Sequence, residues 1–315
     1  MDFLSASGIS TKNNLRELES NLEKSIGEDA FIQKICAPLI VGGKRLRPLL
    51  FLLCSGAVEN SARQIPLATA LELIHTASLV HDDILDSAKK RRGVATINSQ
   101  YGAQIAVLVG DYLFAKAFQL VAEGNYGDRV SEILSQLVKN LCVGEIMQDR
   151  ALFVVPTLSE YYTRINLKTA FFLSTCCRLG GIVSNLSDAE TENLAAYGGN
   201  LGLAFQIVDD LLDFFGEENV TGKPLGGDLK SGVITLPVIR ALKVSADAEI
   251  LSEIIARQKV SSTDVETAIK IISATDAAEY CRIRAQAHID CAKINLPAEN
   301  FALEQIADFV INRNW

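Results

Sequence analysis

The sequence of 315 residues predicts an all-α fold, organised as one single-domain helical bundle over residues 1–315. Three observations support this prediction. Apolar residues recur at three- and four-residue spacing through most of the chain, helix-start patterns precede several of these runs, and the alternating pattern typical of strands is absent. No Ser/Gly-rich linker, low-complexity tract or block of like charge divides the chain, so a single domain is expected.

Capping boxes and glycine breaks predict where the helices begin and end. A Ser or Thr three residues before a Glu satisfies free amide groups at a helix N-terminus. This pattern occurs at Thr157/Glu160, Ser187/Glu190 and Thr263/Glu266. Breaks are expected at residues 42–43, 124–127, 216–227 and 297, which contain Gly or Pro. The chain should therefore form about a dozen helices joined by short loops.

Composition excludes several classes of function. The net charge of −8 argues against a nucleic-acid partner and against a basic surface for membranes. The longest apolar stretch, 49–58, is shorter than the roughly 20 residues that cross a bilayer, and the N-terminal residues lack a signal-peptide pattern. The seven Cys residues show no metal-binding spacing, which favours buried reduced thiols. We expect a cytoplasmic protein without a transmembrane segment.

Two copies of one acidic pentapeptide predict a metal site. In each copy the first and last Asp lie one helical turn apart on one face, with Cβ atoms roughly 6 Å apart, and the middle Asp points away. Apolar neighbours make unpaired carboxylates costly, so a solvated helix face explains the pair poorly. Oxygen ligands without His or Cys favour Mg²⁺. The predicted metal ligands, expected to face each other across the bundle core, are Asp82, Asp83, Asp86, Asp209, Asp210 and Asp213.

Basic residues near these motifs and near glycine breaks predict binding of a polyphosphate. Arg binds phosphate oxygens bidentately and Lys acts as a point charge, although a single such residue is more often a solvated charge. His75 lies two helical turns before Asp82 on the same stripe, where it is either part of the site or a satisfied core residue. The candidate phosphate-binding residues are Lys44, Arg47, Arg91, Arg92, Lys168 and Lys223.

With these motifs the chain resembles the trans-isoprenyl diphosphate synthases, in their medium- and long-chain polyprenyl branch. The resemblance spans essentially the whole sequence. It rests on GGKRLRP at 42–48, LIHTASLVHDDILD at 73–86, RRG at 91–93, VLVGDYLFAKAF at 107–118, GE at 144–145, LKTA at 167–170, LGLAFQIVDDLLDFFG at 201–216 and TGKPLGGDL at 221–229.

The resemblance implies an isoprenoid synthase fold with a central cavity, normally a homodimer, and condensation of an allylic diphosphate with isopentenyl diphosphate. It assigns catalytic roles to Asp82, Asp86, Asp209 and Lys168, with typically three Mg²⁺ ions and with Asp83, Asp210 and Asp213 as supporting ligands or hydrogen-bond acceptors. It assigns the allylic diphosphate to Arg91, Lys168, Thr169, Gln206 and Lys223, and isopentenyl diphosphate to Lys44, Arg47, His75 and Arg92.

Product length and subunit composition stay open at this point. Many relatives carry a Lys where this chain has Val233, so the role of Lys230 is undetermined. Small side chains at Ala77 and Ser78, one turn before Asp82, leave a path for a product of more than four isoprene units by resemblance. The alternatives are a catalytic subunit paired with a small partner, a farnesyl or geranylgeranyl diphosphate synthase, and a non-catalytic partner subunit. A terpene cyclase fits poorly because it has no use for a second diphosphate site.

Overall fold

The computed structural model of the protein describes residues 9–27, 29–40, 43–56, 61–91, 93–216, 224–296 and 300–313. Helices dominate these residues, which confirms the all-α prediction. In chain order they are α1 (Ile9–Ser25), α2 (Ala30–Ile40), α3 (Leu46–Cys54), α4 (Ser61–Leu85), α5 (Ile97–Tyr101), α6 (Ala103–Glu123), α7 (Asp128–Arg150), α8 (Leu158–Ile165), a π-helical turn (Asn166–Ala170), α9 (Phe171–Val183), α10 (Asp188–Phe215), α11 (Gly227–Ser231), α12 (Leu236–Val244), α13 (Ala248–Ala256), α14 (Ser262–Ser273), α15 (Ala277–Ile294) and α16 (Phe301–Ile311).

One short β-hairpin interrupts the helices, and the sequence did not predict it. Strand β1 (Lys90–Arg91) pairs antiparallel with β2 (Val94–Ala95), and Arg91 faces Val94 across the pair. Strands of two residues are too short to show an alternating pattern. The hairpin follows the first acidic motif directly, and it determines where Arg91 lies.

Two of the three predicted capping boxes are confirmed. At α8 the Thr157 hydroxyl accepts a hydrogen bond from the Glu160 amide, while the Glu160 carboxylate accepts one from the Thr157 amide. The same reciprocal bonds join Ser187 and Glu190 at the start of α10. These boxes begin the helix before the π-helical turn and the helix that carries the second acidic motif.

The third predicted capping box is wrong by two residues. The prediction was Thr263/Glu266, but α14 begins at Ser262 and its capping residue is Ser261, paired with Asp264. The Ser261 hydroxyl accepts from the Asp264 amide, and the Asp264 carboxylate accepts from the Ser261 amide at 2.9 Å. A Ser with an Asp at the third position is an equally good box, so both patterns competed in this stretch.

The chain divides into two units, each with its own packing. The first comprises residues Met1–Val138 and Thr175–Ala195. Within it, α4 packs against α1, α3 and α6, and its middle turns are almost completely buried. Burial of this apolar surface is the main favourable contribution to folding. The first acidic motif lies at the C-terminal end of α4, where burial decreases.

The second unit comprises residues Lys139–Ser174 and Ala196–Trp315. Helices α12 to α15 surround an apolar core that includes Phe214 from α10, Val238 from α12 and Ile272 from α14. Phe214 follows the last Asp of the second acidic motif, so this core holds the C-terminal turn of α10 in place. The interpretation of residues 1–315 as a single domain stays a prediction.

Helix α6 is long and apolar, and it exposes two large apolar side chains. By length and composition alone it is apolar enough to cross a membrane, a test that core helices of soluble proteins also pass. Val107 and Leu108 on this helix are 43% and 57% exposed. The prediction that the chain has no transmembrane segment stays a prediction.

Cysteine burial follows the prediction only in part. All seven Cys residues are free thiols, and five of them are buried. Cys142 and Cys291 are exposed, contrary to the expectation of buried thiols. Burial raises the pKa of the Cys36 thiol to about 11, so this thiol stays protonated at neutral pH.

Candidate active site

The first acidic motif separates its three carboxylates by exposure. Asp82 is half-buried, Asp83 is buried and Asp86 is exposed just after the end of α4. Asp83 accepts hydrogen bonds from Arg91 Nε at 2.9 Å and pairs with Arg91 Nη2 at 2.8 Å. Arg91 therefore folds back over the motif, and its hairpin is fixed to the middle carboxylate.

The second acidic motif repeats this arrangement in the second unit. Asp209 and Asp213 are half-buried, whereas Asp210 is only 2% exposed. Asp210 accepts hydrogen bonds from the Tyr161 hydroxyl at 2.7 Å and from Gln206 Nε2 at 2.8 Å. Burial raises the pKa of the Asp210 carboxyl to about 6, while these two hydrogen bonds favour the ionised form and oppose the rise.

Asp213 organises the chain that follows the second motif. Its two carboxylate oxygens each accept a hydrogen bond at 3.1 Å, one from the Gly227 amide and the other from the Asp228 amide. These amides belong to the first turn of α11, where amide groups have no acceptor within the helix itself, and a carboxylate there is also favoured by the helix dipole. Asp213 therefore holds the start of α11 beside the motif.

Asp209 is paired with a residue from the far end of the chain. Arg313 Nη1 lies 2.8 Å from Asp209 Oδ1, and the Arg313 side chain is 10% exposed. The guanidinium is 4.0 Å from the centre of the Phe205 ring, and Nη2 donates to the Phe205 carbonyl at 3.0 Å. No local pattern predicts this contact, because a single Arg after an apolar helix has no partner nearby in the sequence.

Lys168 and Thr169 lie on the π-helical turn Asn166–Ala170. Lys168 Nζ is 2.5 Å from Glu145 Oε1 and donates to Gln148 Oε1 at 3.0 Å. The Thr169 hydroxyl donates to Gln206 Oε1 at 2.7 Å. Single π-helical turns occur frequently at functional sites, and here the turn presents both predicted phosphate-binding residues.

Two glycines allow the π-helical turn to approach its neighbours closely. A Cβ atom at Gly202 would lie 2.4 Å from the Ala170 Cα atom. A Cβ atom at Gly144 would lie 2.8 Å from Lys168 Cγ. Gly202 belongs to α10 and faces the backbone of the turn, whereas Gly144 belongs to α7 and faces the side chains of Lys168 and Leu167.

Two of the four residues assigned to isopentenyl diphosphate, Arg47 and His75, meet in the first unit. Arg47 Nη1 lies 3.0 Å from His75 Nε2, and both side chains are half-buried. Lys44 is exposed in the segment before α3. The structure thus brings Arg47 from α3 and His75 from α4 together, and their assignment to isopentenyl diphosphate stays a prediction.

Arg45 has a different position from its basic neighbours. It is buried, pairs with Glu72 at 2.7 Å, and also donates to the Ile40 carbonyl. Its φ of 48° places it in the left-handed region, which costs energy for a residue with a side chain. The pair fixes the segment that carries Lys44 and Arg47, and sequence reasoning assigned it no role.

Some predicted residues are not described by the structure. Arg92 and Lys223, assigned to the two diphosphates, lie outside the described residues. Lys230, which the sequence left without a role, is exposed on α11.

The donor chemistry of the two motifs fits a hard cation. The outer carboxylates offer oxygen ligands with access to solvent, and Asp209 already has a cationic partner within 2.8 Å. Among the described residues, no group of three or more His, Cys, Asp or Glu side chains is arranged to hold a metal ion. Bound diphosphate supplies further oxygen ligands in sites of this kind. The assignment of the six Asp residues as metal ligands stays a prediction.

Comparisons with known proteins identify the family. Residues 21–272 match the family model described as polyprenyl synthetase. The chain is 36% identical to solanesyl-diphosphate synthase 2, chloroplastic, of Oryza sativa subsp. japonica, over 96% of this chain and 77% of that protein. It is 37% identical to heptaprenyl diphosphate synthase component 2 of Geobacillus stearothermophilus, over 89% of this chain and 88% of that protein.

A solved structure extends the similarity to the fold. The polyprenyl synthase of Caulobacter crescentus CB15, complexed with calcium and isoprenyl diphosphate, is 32% identical with a TM-score of 0.90, and 96% of each chain is covered. The family model matches well over half of the chain, and the relatives exceed 30% identity over most of their length. The chain therefore belongs to the polyprenyl synthetase family.

Proposed function

We propose that the chain is a Mg²⁺-dependent trans-polyprenyl diphosphate synthase. It joins an allylic diphosphate to isopentenyl diphosphate, releases diphosphate and gives a medium- or long-chain product. The observation that carries the proposal is the common arrangement of both acidic motifs, in which the middle Asp is buried and held by protein donors while the outer Asp residues reach solvent. Carboxylates presented in pairs from apolar helices need a cation.

Most of the residues assigned to the allylic diphosphate belong to the second unit. Asp209 here, and Asp82 and Asp86 in the first motif, offer carboxylate oxygens to metal ions, and Lys168 supplies a point charge to the diphosphate. Bound Mg²⁺ neutralises charge on the leaving diphosphate. Glu145 and Gln148 hold Lys168 Nζ in place before substrate binds.

The residues of the first unit account for isopentenyl diphosphate. Arg47 offers guanidinium donors beside His75, whose Nε2 accepts from Arg47 Nη1, and Lys44 adds an exposed cation. Loss of diphosphate from the allylic substrate leaves a carbocation, which the double bond of isopentenyl diphosphate attacks before a proton passes to the departing diphosphate. No protein nucleophile is required, so the residues act by binding, orienting and excluding water.

Assay of the purified chain alone tests the proposal. Farnesyl diphosphate, isopentenyl diphosphate and Mg²⁺ should give an extractable product longer than four isoprene units, and chelation of the metal should abolish it. Asp82→Ala or Asp209→Ala should reduce turnover by about 100-fold or more, because such charge stabilisation is typically worth a few kcal/mol. Near-normal turnover in either variant with unchanged helical content would contradict the metal assignment.

A second copy of the chain is the proposed partner of helix α6. Val107 and Leu108 expose apolar surface on this helix, and burial of such surface favours association. Leu108→Glu should convert a dimer to a monomer in analytical ultracentrifugation. A relative named heptaprenyl diphosphate synthase component 2 keeps a heteromeric synthase as the second candidate. Failure of the pure wild-type chain to form dimers or product would favour that candidate. The cytoplasmic location stays a prediction.

A further inference from the structure

Tyr161 is a buried polar residue that the sequence assigned no role. It lies in α8, has no exposed surface, and donates its hydroxyl hydrogen to Asp210 Oδ2 at 2.7 Å. Its neighbour Tyr162 is partly exposed, and the Tyr162 hydroxyl accepts a hydrogen bond from Arg284 Nε at 3.0 Å. The two tyrosines are adjacent in sequence, but their hydroxyl groups point to different partners.

A chain of hydrogen bonds connects Tyr161 to the π-helical turn. Asp210 accepts from Tyr161 on one oxygen and from Gln206 Nε2 on the other. Gln206 Oε1 accepts from the Thr169 hydroxyl at 2.7 Å. The connection therefore runs from a buried tyrosine, through the second acidic motif, to two residues assigned to the allylic diphosphate.

The chemistry of these groups fixes the orientation of the Gln206 amide. An ionised carboxylate only accepts hydrogen bonds, so the side of Gln206 that faces Asp210 must be its NH₂ group. The carbonyl oxygen then faces Thr169, which donates to it. An amide NH₂ has two hydrogens, and one of them is used by Asp210. The second is the hydrogen-bond donor that Gln206 offers to another acceptor.

Diphosphate oxygens accept hydrogen bonds, so they require a donor from Gln206. If the amide turned over, its oxygen would face the diphosphate and repel it. Tyr161 prevents this, because its hydroxyl keeps Asp210 in the position that accepts from Gln206. Thr169 has its hydrogen committed to Gln206 in this arrangement, so it supports the amide more directly than it supports the substrate.

We propose that Tyr161 is a positioning residue for the allylic diphosphate, acting through Asp210 to hold the Gln206 amide with an N–H available to a diphosphate oxygen. This inference rests on the proposed function of Lys168, Thr169 and Gln206.

Matched tyrosine variants test the proposal. Tyr161→Phe removes one hydroxyl and keeps the buried ring, while Tyr162→Phe removes the neighbouring hydroxyl outside the chain of bonds. With Tyr161→Phe, KM for farnesyl diphosphate should rise about tenfold, as expected for loss of a hydrogen bond to a buried charged group, while KM for isopentenyl diphosphate changes less than about twofold. Tyr162→Phe should leave both values unchanged. Equal changes in both KM values for Tyr161→Phe, or none, would overturn the proposal.

A second measurement needs no substrate and no metal. In protein labelled with ¹⁵N-glutamine, the side-chain amide signals of Gln206 are identified by their loss in Gln206→Glu. Tyr161→Phe should shift these signals and speed their exchange with water, whereas Tyr162→Phe should not. Unchanged signals in Tyr161→Phe would overturn the proposed connection. A wild-type protein that forms no product would refute the proposed function instead, and the amide spectra would still decide whether Tyr161 fixes Gln206.

Discussion

The buried pair between Arg45 and Glu72 gives a stability test with an internal control. Both side chains are 7% exposed, and Arg45 Nη1 lies 2.7 Å from Glu72 Oε1. Glu72→Gln keeps the size and shape of the side chain but removes its charge. The guanidinium of Arg45 then stays buried without a counter-charge, because arginine does not lose its proton in proteins.

The expected loss of folding stability depends on how deeply the ion pair is buried, and not on the distance between its charged atoms. Removing one partner of a buried ion pair typically costs about 3–5 kcal/mol, and we expect about 3 kcal/mol because glutamine still offers an acceptor oxygen. Arg178 and Glu192 are also 2.7 Å apart in the same unit, but their side chains are 35% and 54% exposed. For that pair, Glu192→Gln should cost less than about 1 kcal/mol.

Thermal unfolding followed by circular dichroism compares the stability losses of Glu72→Gln and Glu192→Gln. For a protein of this size about 3 kcal/mol lowers Tm by about 4 to 5 °C, and the Glu192→Gln control should shift it by less than about 2 °C. Because Arg45 fixes the segment before α3, Glu72→Gln should also raise KM for isopentenyl diphosphate. Equal Tm shifts in the two variants would refute the reasoning, since charge and distance are matched and only burial differs.

Three further predictions concern substrates, product length and metal binding. Arg47→Ala should raise KM for isopentenyl diphosphate more than for farnesyl diphosphate, and Lys168→Ala should do the reverse; equal effects on both substrates would refute the division between the two sites. Ser78 is half-buried, so Ser78→Phe should shorten the product measured by chromatography. Ala77 has no exposed surface, so Ala77→Phe should overpack the core and lower Tm. An unchanged product from Ser78→Phe would contradict an open path at that position. Arg313→Gln removes the cation that pairs with Asp209. Without substrate, this variant should bind Mn²⁺ about threefold to tenfold more tightly in an electron paramagnetic resonance titration. An unchanged affinity would contradict competition between Arg313 and the metal for Asp209.

Sequence patterns succeeded where the interacting residues are close along the chain. The box between Thr157 and Glu160 spans three residues, and helix periodicity alone separates each middle Asp from its outer neighbours. The mistaken box near α14 shows what a local pattern lacks. Val260 precedes the capping residue Ser261, and Val265 is the fourth residue of α14. Both are buried, and apolar residues at these two positions commonly pack together at a helix start. That apolar contact favours the earlier start, and a polar pattern alone does not reveal it.

Contacts between distant residues gave no signal in the sequence. Tyr161 and Asp210, Arg45 and Glu72, and the guanidinium on Asp209 each join separate helices or segments. Periodicity describes which face of a helix is apolar, but not which polar residue of another helix meets it. The sequence therefore proposed residues for the site, and their roles stay predictions, whereas residues that hold several of them in place became apparent only from the fold.

The close approach at Gly202 affects how mutational data on this protein should be interpreted. A methyl group there would meet the backbone at Ala170, which moves only if the whole π-helical turn moves with it. At Gly144 the nearest atoms are Lys168 Cγ and Leu167 Cβ, so a methyl group there would first displace side chains of the turn. In a library that substitutes every position, Gly202 should therefore tolerate as little change as a residue that contacts substrate. Loss of activity on substitution of Gly202 would reflect the close packing of α10 against the π-helical turn, and it would not show that Gly202 takes part in the reaction.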